Sequence, residues 1–489
     1  MAKNTANTLT ITKEKANGRI YTPDYIVNNI LDLCGYNGTA VLGRHIIDNS
    51  CGDGAFLAEV VRRYCSAAQA VNMPSEQLGT ELGQFIHGVE IDNAECENCI
   101  ANITNTAAEF GVYNICWDIS VGDTLTVRRY NGMMDYVVGN PPYVRVHNLL
   151  DSYDAVKGYS FAQNGMTDLF IVFYELGLRM LNDTGILGYI TPSSLFNSLA
   201  GSSMRRHLIC YRNIKAVVDL KHFQPFEAIT YTTIMILAKQ PQESVMYYEY
   251  DEINLIPITI SELVYEDFCM NGFFIFGGKA ELNELKSIMS YTGGKTYCEV
   301  KNGFATLCDD FFIGDWLFDD YTIPVIKAST GKQKKCLFPY GGNGKLLPFE
   351  TVAANPAIRS HYEQNEEKLK RRSLESPGAW YGFGRSQGIN DVGRKKYAIN
   401  SLIRGVADIK LYECMPGTGV YSGLYILTEH NMDELKSVLF TEEFAKYVAM
   451  LGKYKNGGYY TYSSKDLQRY INYKFGEKDG HKYEQFTIS

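Results

Sequence analysis

The stretch Asp135-Tyr136-Val137-Val138-Gly139-Asn140-Pro141-Pro142-Tyr143 lies near the middle of the first half of a 489-residue chain. Tyr136 to Val138 has the pattern of a short buried strand. The chain must leave that strand at Gly139, because two consecutive prolines donate no ladder hydrogen bonds. Pro141 and Pro142 have fixed φ, and Pro141 holds Asn140 extended. The result is a stiff loop at a strand's end that presents an amide, a carbonyl and an aromatic ring with little conformational freedom.

Such a loop suits attack by an exocyclic amino group on an electrophilic methyl. The lone pair of an aryl amine is delocalised into its ring, and two acceptors gripping its N–H groups favour a tetrahedral, nucleophilic nitrogen. The Asn140 side-chain oxygen and the Pro141 carbonyl are two such acceptors. Tyr143 adds a flat face on which an extruded base can stack. Taken alone, the four residues are also explained as a tight Pro-Pro turn after a strand. Their neighbours decide.

Upstream, Tyr21-Thr22-Pro23 precedes Ile26, Val27, Ile30, Leu31 and Leu33 at near-helical spacing, with Thr22 and Pro23 as a helix-start signal. Backbone N–H groups and a threonine hydroxyl at such a start can hold a carboxylate, or simply cap the helix. Ile46-Ile47-Asp48 then leads through Asn49-Ser50-Cys51-Gly52-Asp53-Gly54 into the helical pattern of Phe56, Leu57, Val60 and Val61, giving strand, glycine turn and helix. Gly52 and Gly54 let the backbone pass close to a ligand, and an acid at the strand end can accept from a ligand's amine. The spacing is not Gly-x-Gly-x-x-Gly, and no Gly-Lys-Ser/Thr follows, so a cationic amino-acid moiety fits better than a dinucleotide or a triphosphate. Phe85 to Asp92 reads as the next strand, with Glu90 and Ile91 at its end and Glu90 placed to accept ribose hydroxyls. Asp123 follows in a loop, where it can accept from an adenine amino group. Each acid alone is an ordinary cap or turn residue; together they come in order.

Downstream, a helix is expected from Thr167 to about Leu181, a turn at Asp183-Thr184-Gly185, and strands at Ile186–Ile190, Ile214–Leu220 and Tyr231–Ala238. Strands alternating with helices imply a mixed, mainly parallel sheet covered on both faces, whose ligands sit at the strands' C-terminal ends. At this length two domains are the default. Beyond Gln240 the texture becomes Tyr-rich and irregular, which places the boundary near residue 250. Net charge is −8, but residues 327–410 hold sixteen Lys/Arg against seven Asp/Glu, a local +9 that leaves −17 elsewhere. That asymmetry points to one half built to meet polyanions. Within it Trp380 to Gly388, including Arg385, Ser386 and Gln387, and the run Arg394-Lys395-Lys396 offer groups for base edges and phosphates; Gly457 to Leu467 is a second aromatic-glycine segment. Residues 1–17 are polar and unpatterned. The twelve cysteines are scattered, and there is neither a signal segment nor a run long enough to span a bilayer, so reduced thiols in a cytoplasmic protein are expected. Cys96-x-x-Cys99 has no companion pair and reads as two helix positions; no metal is expected.

Taken together these stretches resemble the gamma class of methyltransferases that methylate the N6 position of adenine in DNA. The match runs in order through Tyr21-Thr22-Pro23, Asp48 to Phe56, Glu90, Asp123 and Asn140 to Tyr143, with Asp48-Asn49-Ser50 where many relatives carry Asp-Pro-Ala. The resemblance implies an α/β, Rossmann-like S-adenosylmethionine-dependent methyltransferase domain over residues 1–250 and an α+β target recognition domain over residues 251–489. It implies that Tyr21, Thr22, Pro23, Asp48, Cys51, Gly52, Gly54, Glu90, Ile91 and Asp123 bind S-adenosylmethionine. Asn140, Pro141 and Pro142 would hold the target amine, and Tyr143 and Phe226 would stack on the flipped adenine, with Tyr231 in reserve. Arg385, Ser386, Gln387, Arg394, Lys395 and Lys396 would meet double-stranded DNA. No segment of nuclease size is left over, so a restriction endonuclease partner is expected to be a separate chain, and the protein to act as a monomer. The rival readings are methylation of a protein glutamine amide, methylation of RNA, and a catalytically silent DNA-binding subunit.

Overall fold

The computed structural model describes residues 21–146, 156–164, 167–226, 230–291, 295–316, 318–375 and 377–479. The N-terminal arm of residues 1–17, Glu227 in the loop after Phe226, and Gly293-Gly294 lie outside the described residues. The chain divides into two compact units, Met1–Asn283 and Glu284–Ser489.

The first unit is built on a nine-stranded sheet in the order β3-β2-β1-β4-β5-β7-β6-β8-β9. The strands are β1 (Ile46–Asp48), β2 (Ile86–Glu90), β3 (Asp118–Val121), β4 (Met134–Gly139), β5 (Leu181–Pro192), β6 (Ile214–Asp219), β7 (Thr232–Ala238), β8 (Val245–Asp251) and β9 (Ile256–Leu263). From β3 to β5 all neighbours are parallel, and β7 runs antiparallel to both β5 and β6. The expected strand pattern and the mixed, mainly parallel order are therefore present. β1 is short and interior: Ile46 and Ile47 are fully buried, and it pairs with β2 on one side and β4 on the other.

Helices α1 (Asp24–Cys34), α2 (Ala55–Ala70), α3 (Ser75–Phe85), α4 (Asn93–Glu109), α5 (Leu169–Met180) and α6 (Ser202–Tyr211) follow the periodic segments. α1 buries Ile26, Val27, Ile30, Leu31 and Cys34 and ends at Gly35, whose φ of +81° supplies the left-handed cap. Helix and strand approach closely at Gly188 of β5, where a Cβ would lie 2.4 Å from Cys34 Sγ and 2.9 Å from Ile30 Cγ2. That contact seats α1, and with it the Tyr21-Thr22-Pro23 segment, against the sheet. Cys96 and Cys99 are buried helix positions of α4, and among the described residues no group of three or more His, Cys, Asp or Glu is arranged to hold a metal.

Two expectations need correction. The boundary near residue 250 falls at the end of β8, and β8 and β9 continue the first unit's sheet through parallel pairing of β8 with β6. The first unit therefore runs on to Asn283. The Asp183-Thr184-Gly185 turn is instead part of β5: Met134 pairs with Leu181 but Tyr136 pairs with Ile186, so the extra residues bulge out of one continuous strand.

The second unit is α+β. One antiparallel sheet orders Glu299–Asn302, Leu424–Leu427, Lys396–Ile399 and Leu411–Cys414; another orders Ile313–Gly314, Gln333–Leu337, Thr322–Lys327 and Gly419–Tyr421. An aromatic core of Phe304, Phe312, Phe338, Tyr362 and Phe383 fills it. Its final helix, Ser464–Lys478, starts at a capping box in which the Ser463 side chain accepts from Asp466 N and the Asp466 side chain from Ser463 N.

Candidate active site

Parallel strands of a Rossmann-like sheet end on one edge, and here that edge collects the acids. Asp48 pairs with Gly88 and Val138, which puts Glu90 of β2 and Asn140 beyond β4 on either side of it. Asp123 follows β3, whose Val121 pairs with Glu90. One cavity is lined by Tyr21, Thr22, Asp48, Cys51, Gly52, Glu90, Ile91, Asp123, Asn140 and Pro142. Pro23, Gly54, Pro141 and Tyr143 are next to lining residues in the chain but do not themselves line it.

Each acid is fixed by backbone. Ser50 N donates to Asp48 Oδ1 (3.0 Å), Gly52 N and Asp92 N donate to the two Glu90 oxygens (3.0 Å each), and Leu125 N donates to Asp123 Oδ1 (2.9 Å). Asp48 is buried, and burial pushes its carboxyl up to about 7, with Glu90 and Asp53 adding to the rise. Gly139 is needed beside it: φ there is +150°, and a Cβ would lie 2.7 Å from Asp48 Oδ1. Gly52, with φ of +50°, has no atom within 4 Å of its Cβ position, so bare backbone faces the open cavity. Ile91 (69% exposed) and Tyr21 (62% exposed) stand at the rim as apolar surface.

The pocket also recruits residues that the sequence reading passed over. Asn49 is fully buried; it accepts from the Tyr189 hydroxyl (2.8 Å) and its carbonyl accepts from Thr124 Oγ1 (2.6 Å), which ties the β1 turn to β5 and to the Asp123 loop. Ser50 Oγ is buried in the lining with no hydrogen-bond partner among the described residues. Leu169 and Phe173, one turn apart on α5, supply an apolar wall. Their i,i+4 spacing was visible, but α5 is buried nearly all round, so no polar face marked which side met a cavity.

On the target side, Asn140 Nδ2 donates to Thr22 Oγ1 at 3.1 Å. Among the described residues no N–H donates to the Pro141 carbonyl. The Tyr143 hydroxyl donates to Ile190 O (3.2 Å), and its ring meets Phe170 and Phe226 edge-on, with centroids 6.2 and 6.4 Å away. Phe226 is thus brought to Tyr143, but at 77° and buried in the core, so the two rings do not form a parallel sandwich as they stand.

In the second unit the residues expected to meet DNA are largely engaged within the fold. Gln387 Nε2 donates to Gly303 O (2.6 Å), Arg385 Nη1 to the Gly384 and Ser373 carbonyls, and Ser386 N to Glu375. Arg394 pairs with Asp391 (3.2 Å) and Lys395 with Glu413 (2.6 Å). Lys396 is corrected outright: it is buried, and its ammonium donates to the carbonyls of Asp391 (2.6 Å), Arg394 (3.1 Å) and Val392 (3.3 Å). Burial lowers its pKa to about 8. It holds a turn together and reaches no surface. Cations without a carboxylate at ion-pair distance among the described residues lie elsewhere: Lys327, Lys332 and Lys334 on the hairpin joining Thr322–Lys327 to Gln333–Leu337, and Lys410 on the strand edge leading to Tyr412. Tyr412 underlies the hairpin tip, since a Cβ on Gly331 would fall 2.5 Å from its ring.

A sheet in this order, with acids at successive strand ends and the Asn-Pro-Pro-Tyr loop beside them, has the fold of a Rossmann-like methyltransferase domain. The lining fits S-adenosylmethionine, its cofactor: carboxylates for an ammonium, two ribose hydroxyls and an adenine amine, hydroxyls at Thr22 and Ser50 that can donate, and apolar surface for a purine. Residues 62–226 match the Eco57I restriction-modification methylase family, a span that takes in Glu90, Asp123, Asn140 to Tyr143 and Phe226. The chain is 23% identical to the type II methyltransferase M.BstVI of Geobacillus stearothermophilus, over 75% of this chain and 74% of that one. It is 24% identical to the type II methyltransferase M.PaeR7I of Pseudomonas aeruginosa, over 93% of this chain and 85% of that one. Among solved structures, the type IIL restriction-modification enzyme MmeI in complex with DNA shares the fold, with a TM-score of 0.62 and 14% identity, over 90% of this chain and 63% of the MmeI chain. The resemblance to restriction-modification methylases is borne out. No helix of the described residues is long and apolar enough to cross a membrane.

Proposed function

We propose that this protein transfers a methyl group from S-adenosylmethionine to the N6 amino group of an adenine flipped out of double-stranded DNA. The observation that carries the proposal is the placement of Asn140 on the lining of the acid-edged cavity, on a loop stiffened by two prolines. When bound, the cofactor supplies an electrophilic methyl on a sulfonium sulfur. Asp48 holds the ammonium of its amino-acid end, Glu90 its ribose hydroxyls, and Asp123 and Ile91 its purine. Asn140 Oδ1 and the Pro141 carbonyl accept the two N–H groups of the target amine and aim its lone pair into the cavity. Tyr143 and Phe226 take the base between them once one ring has turned. The alkylated amine is strongly acidic, so its proton leaves to solvent without a dedicated base.

The second unit serves as the target recognition domain. Its DNA contacts run through the unpaired Lys327, Lys332, Lys334 and Lys410, with Arg385, Arg394 and Lys395 available where DNA displaces their present partners. The protein acts as a monomer, and any companion endonuclease is a separate chain. The test is label transfer from S-adenosylmethionine to duplex DNA by purified protein, followed by nucleoside analysis. Label in N6-methyl-2'-deoxyadenosine from DNA, with none in RNA or protein, is the expected result. Label in cytosine, in RNA or in a glutamine side chain overturns the proposal.

A further inference from the structure

Thr22 stands where the cofactor end and the target end of the cavity meet. It is buried, it lines the same cavity as Asp48, Glu90 and Asn140, and it comes immediately before the Pro23 cap of the eleven-residue helix α1. Among the described residues its hydroxyl takes part in one hydrogen bond, and there it is the acceptor: Asn140 Nδ2 donates to Thr22 Oγ1 at 3.1 Å. A hydroxyl also carries one proton to give. That proton has no acceptor among the described residues, in a cavity whose charged groups are otherwise all acceptors.

The unassigned proton matters because an amide can meet a hydroxyl with either end. A hydroxyl that accepts takes the NH2 end, and a hydroxyl that donates takes the oxygen. The two choices turn opposite ends of Asn140 toward the target amine. In the first, Oδ1 is held for an N–H of the amine. In the second, the amine meets another N–H, and one of its two acceptors is lost. Whatever takes the Thr22 proton therefore decides which end of Asn140 faces the base.

We propose that Thr22 is a positioning residue through which the cofactor's carboxylate sets the orientation of the Asn140 amide. The carboxylate is the one anionic acceptor the cofactor brings, and the N-terminal dipole of α1 favours it at this end of the cavity. Once it takes the Thr22 O–H, the Thr22 oxygen only accepts, Asn140 gives it Nδ2, and Oδ1 is held for the target amine. Cofactor binding and capture of the base are thereby coupled through one hydroxyl. The inference rests on the amine-methylation reading given above and adds to it a residue-level link between its two subsites.

The test uses duplexes carrying 2-aminopurine at the methylated position, titrated by fluorescence with and without S-adenosylhomocysteine, for the wild type, Thr22→Val and Thr22→Ser. In the wild type the cofactor product tightens base capture by about fivefold or more, the lower end of ordinary coupling between sites. Thr22→Val keeps the shape, lacks the proton and loses the tightening; Thr22→Ser retains it. At saturating S-adenosylmethionine, kcat falls by about tenfold or more in Thr22→Val, short of the loss for a whole acceptor, and recovers in Thr22→Ser. Decarboxylated S-adenosylmethionine, tested on the wild type, gives no tightening, and this arm decides the matter even if Thr22→Val does not fold. Wild-type kcat and full tightening in Thr22→Val, or full tightening with the decarboxylated compound, overturns the inference. Absence of DNA methylation by the wild type overturns instead the reading on which it rests.

Discussion

The two units put their charged side chains to opposite uses. In the first, Asp48, Glu90 and Asp123 are fixed by backbone N–H groups and directed into one cavity. In the second, the charged residues between Glu375 and Lys396 close on nearby carboxylates and carbonyls, and the cations without a carboxylate at ion-pair distance among the described residues include Lys327, Lys332 and Lys334 on an earlier hairpin and Lys410 further along. A site built at strand ends inherits its geometry from the sheet, so a residue's place in the topology fixes its role. A surface built from loops has no such rule, because each lysine or arginine there can serve the fold or a partner.

Breaking the first unit's side of that contrast has the largest expected effect. Asn140→Ala removes the acceptor proposed for the reacting amine, and kcat is expected to fall by about 10²–10³-fold or more. Cofactor affinity, measured by calorimetry, stays within a few-fold, because Asp48 and Glu90 are untouched. A proportional loss of cofactor binding would mean that Asn140 serves the cofactor rather than the base.

Asp48 gives a pH signature. Its carboxyl is held at about 7 in the ligand-free protein, and the ammonium-binding role proposed for it requires the ionised form. Affinity for S-adenosylhomocysteine is therefore full above pH 8 and weakens by up to about tenfold per unit below pH 7. Asp48→Asn binds weakly with a flat profile. The stability sign is the reverse: a carboxyl whose folded pKa lies above its unfolded one stabilises the ligand-free fold at low pH. That stability is lost as pH rises from about 4 to about 7. Thermal melts of Asp48→Asn remove this loss.

The second unit separates fold from surface at two positions. Lys396→Met leaves three carbonyls without their donor and destabilises the unit by roughly 1–3 kcal/mol, read by denaturant melts. The DNA affinity of the folded protein and its salt slope stay unchanged. Lys332→Ala acts the other way: melts are unaffected, affinity for duplex DNA drops a few-fold, and the slope of log K against log salt becomes shallower by about 0.9. If Lys396→Met changes the slope and Lys332→Ala does not, the assignment of free and structural cations is reversed.

The same contrast explains what was legible in the chain. The strands of the first unit stand out as apolar runs, and the acids and the Asn-Pro-Pro-Tyr loop fall where those runs end. The expectations for Asp48, Glu90, Asp123 and Asn140 therefore meet in one cavity. The boundary was misplaced because β8 and β9 interleave polar residues with Tyr and Ile, as strands near a sheet edge do, and Ile256, Ile258 and Ile260 are partly exposed. Arg394-Lys395-Lys396 shows three adjacent cations of which one is buried. Only the carbonyls of Asp391, Val392 and Arg394, set by a tertiary turn, determine which. The cavity residue Asn49 was hidden for a similar reason, since its partners Tyr189 and Thr124 lie far along the chain.

The central claim is adenine methylation of DNA directed by the Asn140 loop. Sequencing that detects modified bases, applied to DNA from cells expressing the wild type and from cells expressing Asn140→Ala, tests it most directly. The account predicts N6-methyladenine confined to one short sequence in the first sample and absent from the second. Unmodified adenine in both samples, from protein that still binds S-adenosylmethionine, would contradict it.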